Sequence, residues 1–454
     1  MHVHILGIAG VLMSGVARLA VQCGHTVTGC DRNFFPPVVD ILNELDVPLI
    51  HNFDADQLDS VGADLYIVGN VMTRGMPIVE EILNKKLPYT SAPRWLSDNV
   101  LSGRHVMAIA GTHGKTTTTT MLTWILSEAG LNPGFLIGGI PKGIPHSADH
   151  GDSPFFVVEA DEYDTSFFDK RSKFIHYRPD ILLINNLEYD HTDIFRDLAD
   201  MMRQYHFLMR TIPSNGAVIY PATCSNITDL LNMGCWSDRV SFCRSIEKSC
   251  DNYTTWSWVR DGDSLIFKSP SGCDNYQVSS IVGEYNCHNA MAAFLMSIQI
   301  GVDPAKAAKA LSSFPGVKRR LEYIAEKDGV RFFDDFAHHP TAMKASILAA
   351  KESCAGRLWV VFEPSSNSFR RGAWSDRLFE SVMDADYVIC YTNGFLSWDV
   401  GSSLSALGKD RFSVFDNIDS LLDNLLSKCR RGDDIILMSN GFFAGLHQKI
   451  KDCL

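Results

Sequence analysis

Short apolar runs of strand length alternate with amphipathic runs of helix length along most of the chain. In the first hundred residues, strand-like runs lie at 3–8, 26–29, 48–51, 65–69 and 88–90, and helix-like runs lie at 13–23, 38–45, 77–85 and 93–101. This alternation predicts βαβ units around a mainly parallel sheet.

The same alternation continues in two further regions. The second region has strand-like runs at 106–110, 155–160 and 181–185, and it becomes β-rich and irregular between about 213 and 282, which predicts an inserted antiparallel part. The third region has strand-like runs at 330–334, 358–362, 387–391 and 434–438. We therefore expect an α/β protein of three domains, at 1–103, 104–316 and 317–454.

The composition is typical of a soluble globular protein, because 46% of the 454 residues are hydrophobic and 21% are charged. The formal net charge of −12 disfavours nonspecific binding to nucleic acids or membrane surfaces. We expect no targeting leader, because the first residues are not basic, and no membrane span, because no apolar run approaches the length of about 20 residues that spans a bilayer. The 12 cysteines form no C-x-x-C pair, so we expect reduced thiols and a cytoplasmic location.

A glycine-rich turn joins an apolar strand-like run to a helix-like run. Its sequence is Gly111-Thr112-His113-Gly114-Lys115-Thr116-Thr117. Glycines let the backbone approach phosphate oxygens, and the N–H groups at a helix start point at negative charge. Lys115 can reach the outer phosphates, and the Thr116 hydroxyl can hold Mg²⁺. We expect a nucleotide phosphate site, although only two residues separate Gly111 from Gly114 where the usual pattern has four, and an ordinary strand–turn–helix connection is the alternative.

Polar side chains follow two later strands of the same region. Glu159 and Asp161 end one strand, where a carboxylate beside a phosphate loop suits Mg²⁺, although a solvated acidic loop is the alternative. Asn185 ends the next strand directly. His191 lies in the loop that follows, where it could ligate a metal ion or simply be solvated.

Two further turns are candidates for ligand contacts. Near the N-terminus, Gly7 and Gly10 lie between a strand and a helix, and Asp31 ends the second strand at the distance where an acid meets a ribose hydroxyl. The turn departs from the dinucleotide fingerprint, so tight packing without a ligand is the alternative to a nucleotide-type ligand. In the third region, cations bunch at the domain junction, where Arg320 could close over a phosphate or belong to a solvated linker.

Together these motifs resemble the Mur ligase family, the ATP-dependent enzymes that join amino acids or peptides to UDP-N-acetylmuramate (UDP-MurNAc). The resemblance covers essentially the whole chain, and it is carried by the segments 111–117, 159–161, 185–191, 286–289, 319–322 and 334–340. It implies the three-domain Mur ligase architecture: a Rossmann-like N-terminal domain, a central P-loop ATPase-like domain with an inserted β part, and a Rossmann-like C-terminal α/β domain. These domains would bind the UDP-sugar, ATP and the incoming amine, in that order.

The resemblance also implies roles for single residues. The resemblance implies that the phosphate loop binds ATP and that Mg²⁺ is held by Thr116, Glu159 and His191. It places Asn185 near the γ-phosphate, Asn289 at the adenine and Asp335 at the ribose, and it makes Arg320 the cation that closes the domains. The UDP-sugar would be bound by Gly7, Gly10 and Asp31, and the candidate base is His338 or His191. Two departures from the family stand out. Tyr285 occupies the place of a frequent histidine, and no lysine occurs between 192 and 210, where several relatives carry a carbamylated one.

Within the family, the histidine pair at 338–339 is most similar to the branch that acts on UDP-MurNAc itself. The stretches 69–77, 162–173 and 438–449 favour addition of the murein tripeptide L-Ala-γ-D-Glu-meso-diaminopimelate in peptidoglycan recycling, with addition of L-alanine as the alternative. Arg370 and Arg371 could pair with the peptide carboxylates, although a surface helix start is an equal interpretation. A P-loop NTPase that is not a ligase is the remote alternative. We expect ATP and Mg²⁺ as cofactors, small-molecule substrates, no nucleic acid or membrane partner, and a monomer.

Overall fold

The structure is a computed structural model that describes residues 1–36, 38–245, 255–392, 394 and 396–453. Two compact units divide the chain: the first comprises Met1–Tyr189, Asp197–Ile281 and His288–Gly316, and the second comprises Asp190–Arg196, Val282–Cys287 and Val317–Leu454. The first unit contains two sheets and the second contains one. Three α/β regions therefore follow one another along the sequence.

The N-terminal sheet of the first unit has five strands, all parallel, in the order β3-β2-β1-β4-β5. Its strands are β1 (His2–Leu6), β2 (Thr26–Asp31), β3 (Leu49–His51), β4 (Leu65–Val68) and β5 (Tyr89–Ser91), and its helices are α1 (Val11–Gln22), α2 (Val38–Glu44), α3 (Gln57–Val61), α4 (Pro77–Asn84) and α5 (Ala92–Leu96). The order confirms a Rossmann-like arrangement. A single π-helical turn, Ser97–Leu101, completes the helix predicted at 93–101.

The central sheet of the first unit has ten strands, in the order β15-β14-β13-β12-β11-β10-β6-β9-β7-β8. The strands are β6 (His105–Ala110), β7 (Gly134–Leu136), β8 (Ala148–Asp149), β9 (Phe155–Glu159), β10 (Ile181–Ile184), β11 (Ala217–Pro221), β12 (Asp238–Arg244), β13 (Trp256–Asp261), β14 (Ser264–Lys268) and β15 (Asn275–Ser279). The predicted antiparallel part is confirmed, because β13, β14 and β15 pair antiparallel. It extends one edge of the parallel sheet, since β12 pairs parallel with β13.

Five helices accompany the central sheet: α6 (Lys115–Glu128), α7 (Leu198–Met209), α8 (Ser225–Asn232), α9 (Glu284–Gln299) and α10 (Pro304–Ser312). Helix α6 buries a run of threonines, which is unusual for polar residues. Their hydroxyls donate back along the helix, from Thr119 to the Lys115 carbonyl at 2.8 Å and from Thr120 to the Thr116 carbonyl at 2.7 Å. These bonds satisfy the hydroxyls of Thr119 and Thr120 in the buried part of α6.

The sheet of the second unit has six strands, in the order β16-β17-β21-β18-β19-β20. The strands are β16 (Glu322–Lys327), β17 (Val330–Asp335), β18 (Leu358–Phe362), β19 (Tyr387–Tyr391), β20 (Phe412–Phe415) and β21 (Asp434–Met438), and the helices are α11 (Pro340–Lys351), α12 (Asn367–Arg370), α13 (Leu378–Val382), α14 (Val400–Leu404), α15 (Ile418–Lys428) and α16 (Leu446–Asp452). All strands predicted for this region are present. Among its six described strands, β16 alone runs antiparallel, pairing with β17.

Two observations bear on the expectations from composition. Among the described residues, no helix combines the length and the apolar character needed to cross a bilayer. Ten cysteines in the described part of the chain are free, but Cys243 is disulfide-bonded, so the expectation of reduced thiols is wrong at that position.

Candidate active site

The phosphate loop lies between β6 and α6 in the first unit. Gly111 has a φ of 133° and Gly114 a φ of 80°, both in the region that favours glycine. Gly114 is the N-cap of α6 and provides no side-chain cap, so the first N–H groups of the helix stay available. The loop therefore has the geometry that binds a phosphate at a helix start.

Residues that follow β10 hold this loop in place. The His113 N–H donates to Oδ1 of Asn186 at 2.8 Å, and the Asn186 amide donates back to the His113 carbonyl at 3.0 Å. The Thr112 hydroxyl donates to the Glu188 carbonyl at 3.0 Å and accepts from the Glu188 N–H at 2.9 Å. The sequence predicts contacts with ATP for Thr112 and His113, and the structure shows that both also fasten the loop to its neighbour.

Lys115, the first residue of α6, points back across the loop. Its Nζ donates to the Gly111 carbonyl at 2.7 Å and to Oε2 of Glu162 at 2.6 Å. Burial acts to lower the pKa of Lys115, but the adjacent Glu162 and Asp161 carboxylates outweigh it and raise the pKa above its ordinary value. The ammonium therefore keeps its charge in a largely buried position.

Thr116 and Glu159 form the candidate metal site. The Thr116 hydroxyl lies 3.0 Å from Oε1 of Glu159, and Oε2 accepts the Gly138 N–H at 2.7 Å. Burial raises the pKa of the Glu159 carboxyl, which the Gly138 N–H, Lys115 and Thr116 only partly counteract. A Cβ atom on Gly138 would lie 2.7 Å from Oε1, so only glycine allows this close approach. Hydroxyl and carboxylate oxygens are the donors that Mg²⁺ prefers, and these residues fit the ion.

Asn185 and Asn289 meet beneath the phosphate loop. Nδ2 of Asn185 donates to Oδ1 of Asn289 at 2.8 Å, and the two residues are 1% and 2% exposed. Oδ1 of Asn185 is buried, and it has no hydrogen-bond donor among the residues that the structure describes. The position of Asn185 beside the loop agrees with a place near a phosphate. Asn289 packs against the loop, and its reading of adenine stays a prediction.

The N-terminal turn shows how the candidate sugar site is built. Gly7 has a φ of 80°, and Gly10 is the N-cap of α1 without a side-chain cap. Oδ2 of Asp31 accepts the Ala9 N–H at 2.9 Å, and Oδ1 accepts the Arg32 N–H at 2.7 Å. Asp31 therefore organises the turn after β1, a task that the sequence did not reveal, and its contact with a ribose stays a prediction.

In the second unit, His191 belongs to a short segment that packs on α12. His191 has a φ of 54°, and its N–H donates to Oδ1 of Asp190 at 2.6 Å. Burial opposes ionisation of Asp190, but His191 and His339 outweigh it and lower the pKa of this carboxyl. The Ser368 hydroxyl lies 3.4 Å from Oδ1 of Asp190. The backbone of His191 is therefore fixed by a buried carboxylate next to it.

The predicted residues after β17 also lie in the second unit. Asp335 is 1% exposed, and its two oxygens accept the N–H groups of Leu321 and Ala337, each at 2.8 Å. Asp335 thus holds the junction segment, and its contact with ribose stays a prediction. The guanidinium of Arg320 lies over the Phe336 ring, 5.2 Å from its centre. Burial lowers the pKa of His338 to about 4, so its imidazole is neutral near pH 7.

Arg370 is the last residue of α12, Arg371 is the C-cap that follows it, and both are exposed. Within the described chain, neither guanidinium has a hydrogen bond, an ion pair or a ring contact. A ligand carboxylate could reach them without displacing a protein partner. Their role in peptide binding stays a prediction.

Sequence reasoning missed two contributors to the first unit's site. Glu162 reads as one acid of a solvated loop, but it is 0% exposed and bonds to Lys115, so the solvated-loop alternative is wrong for it and for Glu159, which is 8% exposed. Gly138 supplies the N–H that holds Glu159. The Gly138-Gly139 pair at the end of β7 was the available signal, because adjacent glycines mark a close backbone approach.

A glycine loop at the carboxyl edge of a parallel sheet, with lysine, hydroxyl, carboxylate and amide groups around it, defines a P-loop nucleotide-binding protein. Three family descriptions match successive parts of the chain. "Mur ligase family, catalytic domain" matches residues 2–103, "Mur ligase middle domain" matches 109–297, and "Mur ligase, glutamate ligase domain" matches 319–441.

The chain is similar to relatives along its whole length. It is 44% identical to the UDP-N-acetylmuramate–L-alanyl-γ-D-glutamyl-meso-2,6-diaminoheptandioate ligase of Escherichia coli K12, over 100% of this chain and 98% of that protein. It is 38% identical to the crystal structure of a murein peptide ligase from Psychrobacter arcticus 273-4, with a TM-score of 0.78 and coverage of 100% of this chain and 98% of that one. The chain belongs to the Mur ligase family of ATP-dependent ligases.

A second crystal structure supports the fold alone. The UDP-N-acetylmuramate–alanine ligase of Thermotoga maritima has a TM-score of 0.79 and covers 100% of this chain and 99% of its own, at 20% identity. The three-domain Mur ligase architecture expected from the sequence is therefore confirmed.

Proposed function

We propose that this protein joins the tripeptide L-Ala-γ-D-Glu-meso-diaminopimelate to the lactyl carboxylate of UDP-MurNAc, at the expense of ATP, in peptidoglycan recycling. The observation that carries the proposal is the full-length 44% identity to the E. coli protein of that name, in a chain with a complete phosphate loop. The cytoplasmic location, the monomeric state and the restriction to small-molecule substrates are part of the same proposal.

The carboxylate of UDP-MurNAc is a poor electrophile, so it needs activation. In the proposed route the γ-phosphoryl group of ATP passes to this carboxylate and gives an acyl phosphate. The α-amine of the tripeptide then attacks the acyl carbon, and the tetrahedral intermediate expels phosphate. Catalysis of such a transfer depends mainly on alignment and on stabilised charge.

The residues of the first unit have clear tasks in this route. The loop N–H groups and Lys115 hold the β- and γ-phosphate oxygens, and Asn185 offers a buried amide beside them. Thr116 and Glu159 would hold Mg²⁺, which when bound neutralises phosphate charge. Their burial keeps water away from the transferring group, so each charge acts more strongly than it would in solvent.

The second unit would bind the peptide. Arg370 and Arg371 carry exposed guanidinium groups that suit carboxylates. The tripeptide has several carboxylates, whereas free L-alanine has one. His338 and His191 are the candidates for accepting the amine proton. The neutral imidazole of His338 has its Nδ1 at 2.9 Å from the Phe336 carbonyl, which leaves Nε2 for a substrate.

A phosphate-release assay tests the proposal. Purified protein receives ATP, Mg²⁺ and UDP-MurNAc with either the tripeptide or L-alanine, and the amide product is identified by mass spectrometry. We expect release that requires both UDP-MurNAc and the tripeptide, with kcat/KM for L-alanine at least 100-fold lower. Equal use of L-alanine would favour the alternative ligase activity, and release with ATP alone at the full rate would favour a non-ligase NTPase.

Lys115→Ala supplies the matched control for this assay. Loss of a preorganised charge contact typically lowers turnover by about 10²–10³-fold. We expect amide formation to fall by that amount, while UDP-MurNAc binds with unchanged affinity in calorimetry. Equal loss of both would contradict the assignment of Lys115 to the ATP site.

A further inference from the structure

Glu162 is a fully buried carboxylate beside the phosphate loop. Its Oε2 lies 2.6 Å from Nζ of Lys115, and the side chains of Glu162 and Lys115 are 0% and 12% exposed. An ionised carboxylate removed from water needs a close partner of opposite charge. The phosphate-loop lysine is that partner, so Glu162 is bound directly to the group that should meet the outer phosphates of ATP.

The contacts of the Lys115 ammonium define a direction. An ammonium has three N–H donors. One donates to Glu162, a second donates to the Gly111 carbonyl at 2.7 Å, and Oδ1 of Asp161 is more distant, at 4.0 Å from Nζ. Because both acceptors belong to buried parts of the fold, the third N–H has a fixed orientation.

The loop that carries Glu162 is itself well fastened. Lys173 ties it through its Nζ to Oδ2 of Asp161 at 2.9 Å and through its N–H to the Tyr163 carbonyl at 2.9 Å. Thr165 and Arg171 close it further, with an N–H to carbonyl bond of 3.0 Å. These bonds hold the backbone on both sides of Glu162 in place, so its carboxylate starts from a fixed position.

We propose that Glu162 is a positioning residue, which holds the Lys115 ammonium against the Gly111 carbonyl so that its remaining N–H meets the transferring phosphoryl group. The inference rests on the proposed function, because it concerns the step that consumes ATP.

This arrangement predicts a kinetic signature. Removing the charge of Glu162 loosens Lys115, so stabilisation of the transition state falls. It also removes a negative charge beside the triphosphate, which favours binding of ATP. Looser positioning of Lys115 raises the KM for ATP and the lost negative charge lowers it, so the KM changes little. Only the first effect acts on kcat, so kcat falls.

The experiment uses Glu162→Gln, Glu162→Asp, Lys115→Met and the double variant Glu162→Gln/Lys115→Met in the full-length protein. Phosphate release with all three substrates gives kcat and the KM for ATP, and fluorescence titration with mant-ADP and calorimetry with UDP-MurNAc report the two binding sites. Asp169→Asn is the matched control, because Asp169 is a half-buried carboxylate of the same loop that pairs with Arg171 and His176.

For Glu162→Gln we expect kcat to fall by about 10–100-fold, the size of one lost charge-assisted contact, while the KM for ATP and the Kd for mant-ADP stay within about threefold of the parent. Glu162→Asp keeps the charge on a shorter arm and should recover kcat to within about tenfold. Asp169→Asn should stay within about twofold. In the Lys115→Met background, Glu162→Gln should have no further effect, because a positioning residue acts only through its partner.

Three results would overturn the inference: an unchanged kcat in Glu162→Gln, a fall in kcat accompanied by equal losses in mant-ADP and UDP-MurNAc binding, or additive losses in the double variant. A parent protein that forms no amide would instead contradict the proposed function, and the inference would fall with it. The two failures are distinguishable, because the first needs an active parent.

Discussion

A Cβ atom placed on Gly114 would lie 2.5 Å from Oδ1 of Asn289. The same atom would lie 2.7 Å from Nδ2 of Asn185, and Gly114 has a φ of 80° that side chains rarely adopt. The phosphate loop is therefore seated directly on the hydrogen-bonded asparagine pair. Asn289 from α9 and Asn185 from the end of β10 together determine how closely the phosphate loop can approach them.

Gly114→Ala tests this seat. The added methyl group must either displace the asparagine pair or lift the loop, and it also strains the backbone, so we expect mant-ADP affinity to fall at least about tenfold. Fluorescence titration measures the affinity. Gly130→Ala is a suitable control, because Gly130 has a similar φ of 78° but nothing within 4 Å of its Cβ position. Equal losses in the two variants would show that backbone strain, and not the contact with Asn289, is responsible.

Glu159→Gln tests the candidate magnesium site. The variant keeps the shape of the side chain and an acceptor for Gly138, but it lacks the charge that a divalent cation needs. We expect the Mg²⁺ concentration for half-maximal phosphate release to rise by about tenfold or more and kcat to fall by about 10²-fold. A magnesium titration at saturating ATP gives both values.

Binding of UDP-MurNAc in calorimetry should remain unchanged in Glu159→Gln, which excludes a folding defect. An unchanged magnesium requirement would remove Glu159 from the set of ligands.

The parallel strands were the most predictable part of the fold. Strands β18 and β21 were predicted with their observed bounds, because every residue in them is buried and the apolar run is continuous. The edge strand β16 was missed. Its sequence carries two glutamates and a lysine, and an edge strand needs no apolar run because one side of it faces solvent.

Site residues were predictable from the sequence where local backbone geometry requires a particular residue type. They were less predictable where the contact joins side chains that are far apart in the sequence. The glycines and Lys115 of the phosphate loop follow from local sequence, because the turn and the helix start are local. Glu162 and the Asn185–Asn289 pair depend on which elements pack together, and the second partner lies 47 and 104 positions away, respectively. Four acids within six residues look solvated in a sequence, although the fold buries three of them, Glu159, Glu162 and Asp164.

Arg370→Ala and Arg371→Ala test the peptide site. If either guanidinium pairs with a carboxylate of the tripeptide, its loss should raise the KM for tripeptide by about 10–100-fold, the range for a charge-assisted bond, and leave the KM for ATP unchanged. Steady-state phosphate release measures both constants. Arg377→Ala is the matched control, because Arg377 is an exposed arginine of the same segment that already bonds to the Thr341 hydroxyl at 3.2 Å. An unchanged KM for tripeptide in both variants would show that the end of α12 is an ordinary surface helix without a role in peptide binding.

His288 predicts a dependence of stability on pH. Its Nε2–H donates to the Asn185 carbonyl at 3.2 Å, the Phe242 ring packs 4.8 Å from its own, and burial lowers the pKa of the imidazole to about 4. In the unfolded chain the pKa returns to its ordinary value of about 6.5. Between these two pH values the unfolded state therefore binds a proton that the folded state does not bind. The contribution of His288 to the free energy of unfolding is fully present above about pH 6.5 and is lost as the pH falls towards 4.

At pH 5 this loss amounts to about 2 kcal/mol, since each pKa unit corresponds to about 1.4 kcal/mol. His288→Gln retains a donor for the Asn185 carbonyl but cannot take up the proton. We expect the free energy of unfolding, measured by urea denaturation at pH 7.5 and pH 5.0, to fall by about 2 kcal/mol less in His288→Gln than in the parent. His51→Gln, a substitution at an exposed histidine of the same unit, should keep the dependence of the parent. Parallel losses in all three proteins would show that His288 does not carry the acid sensitivity.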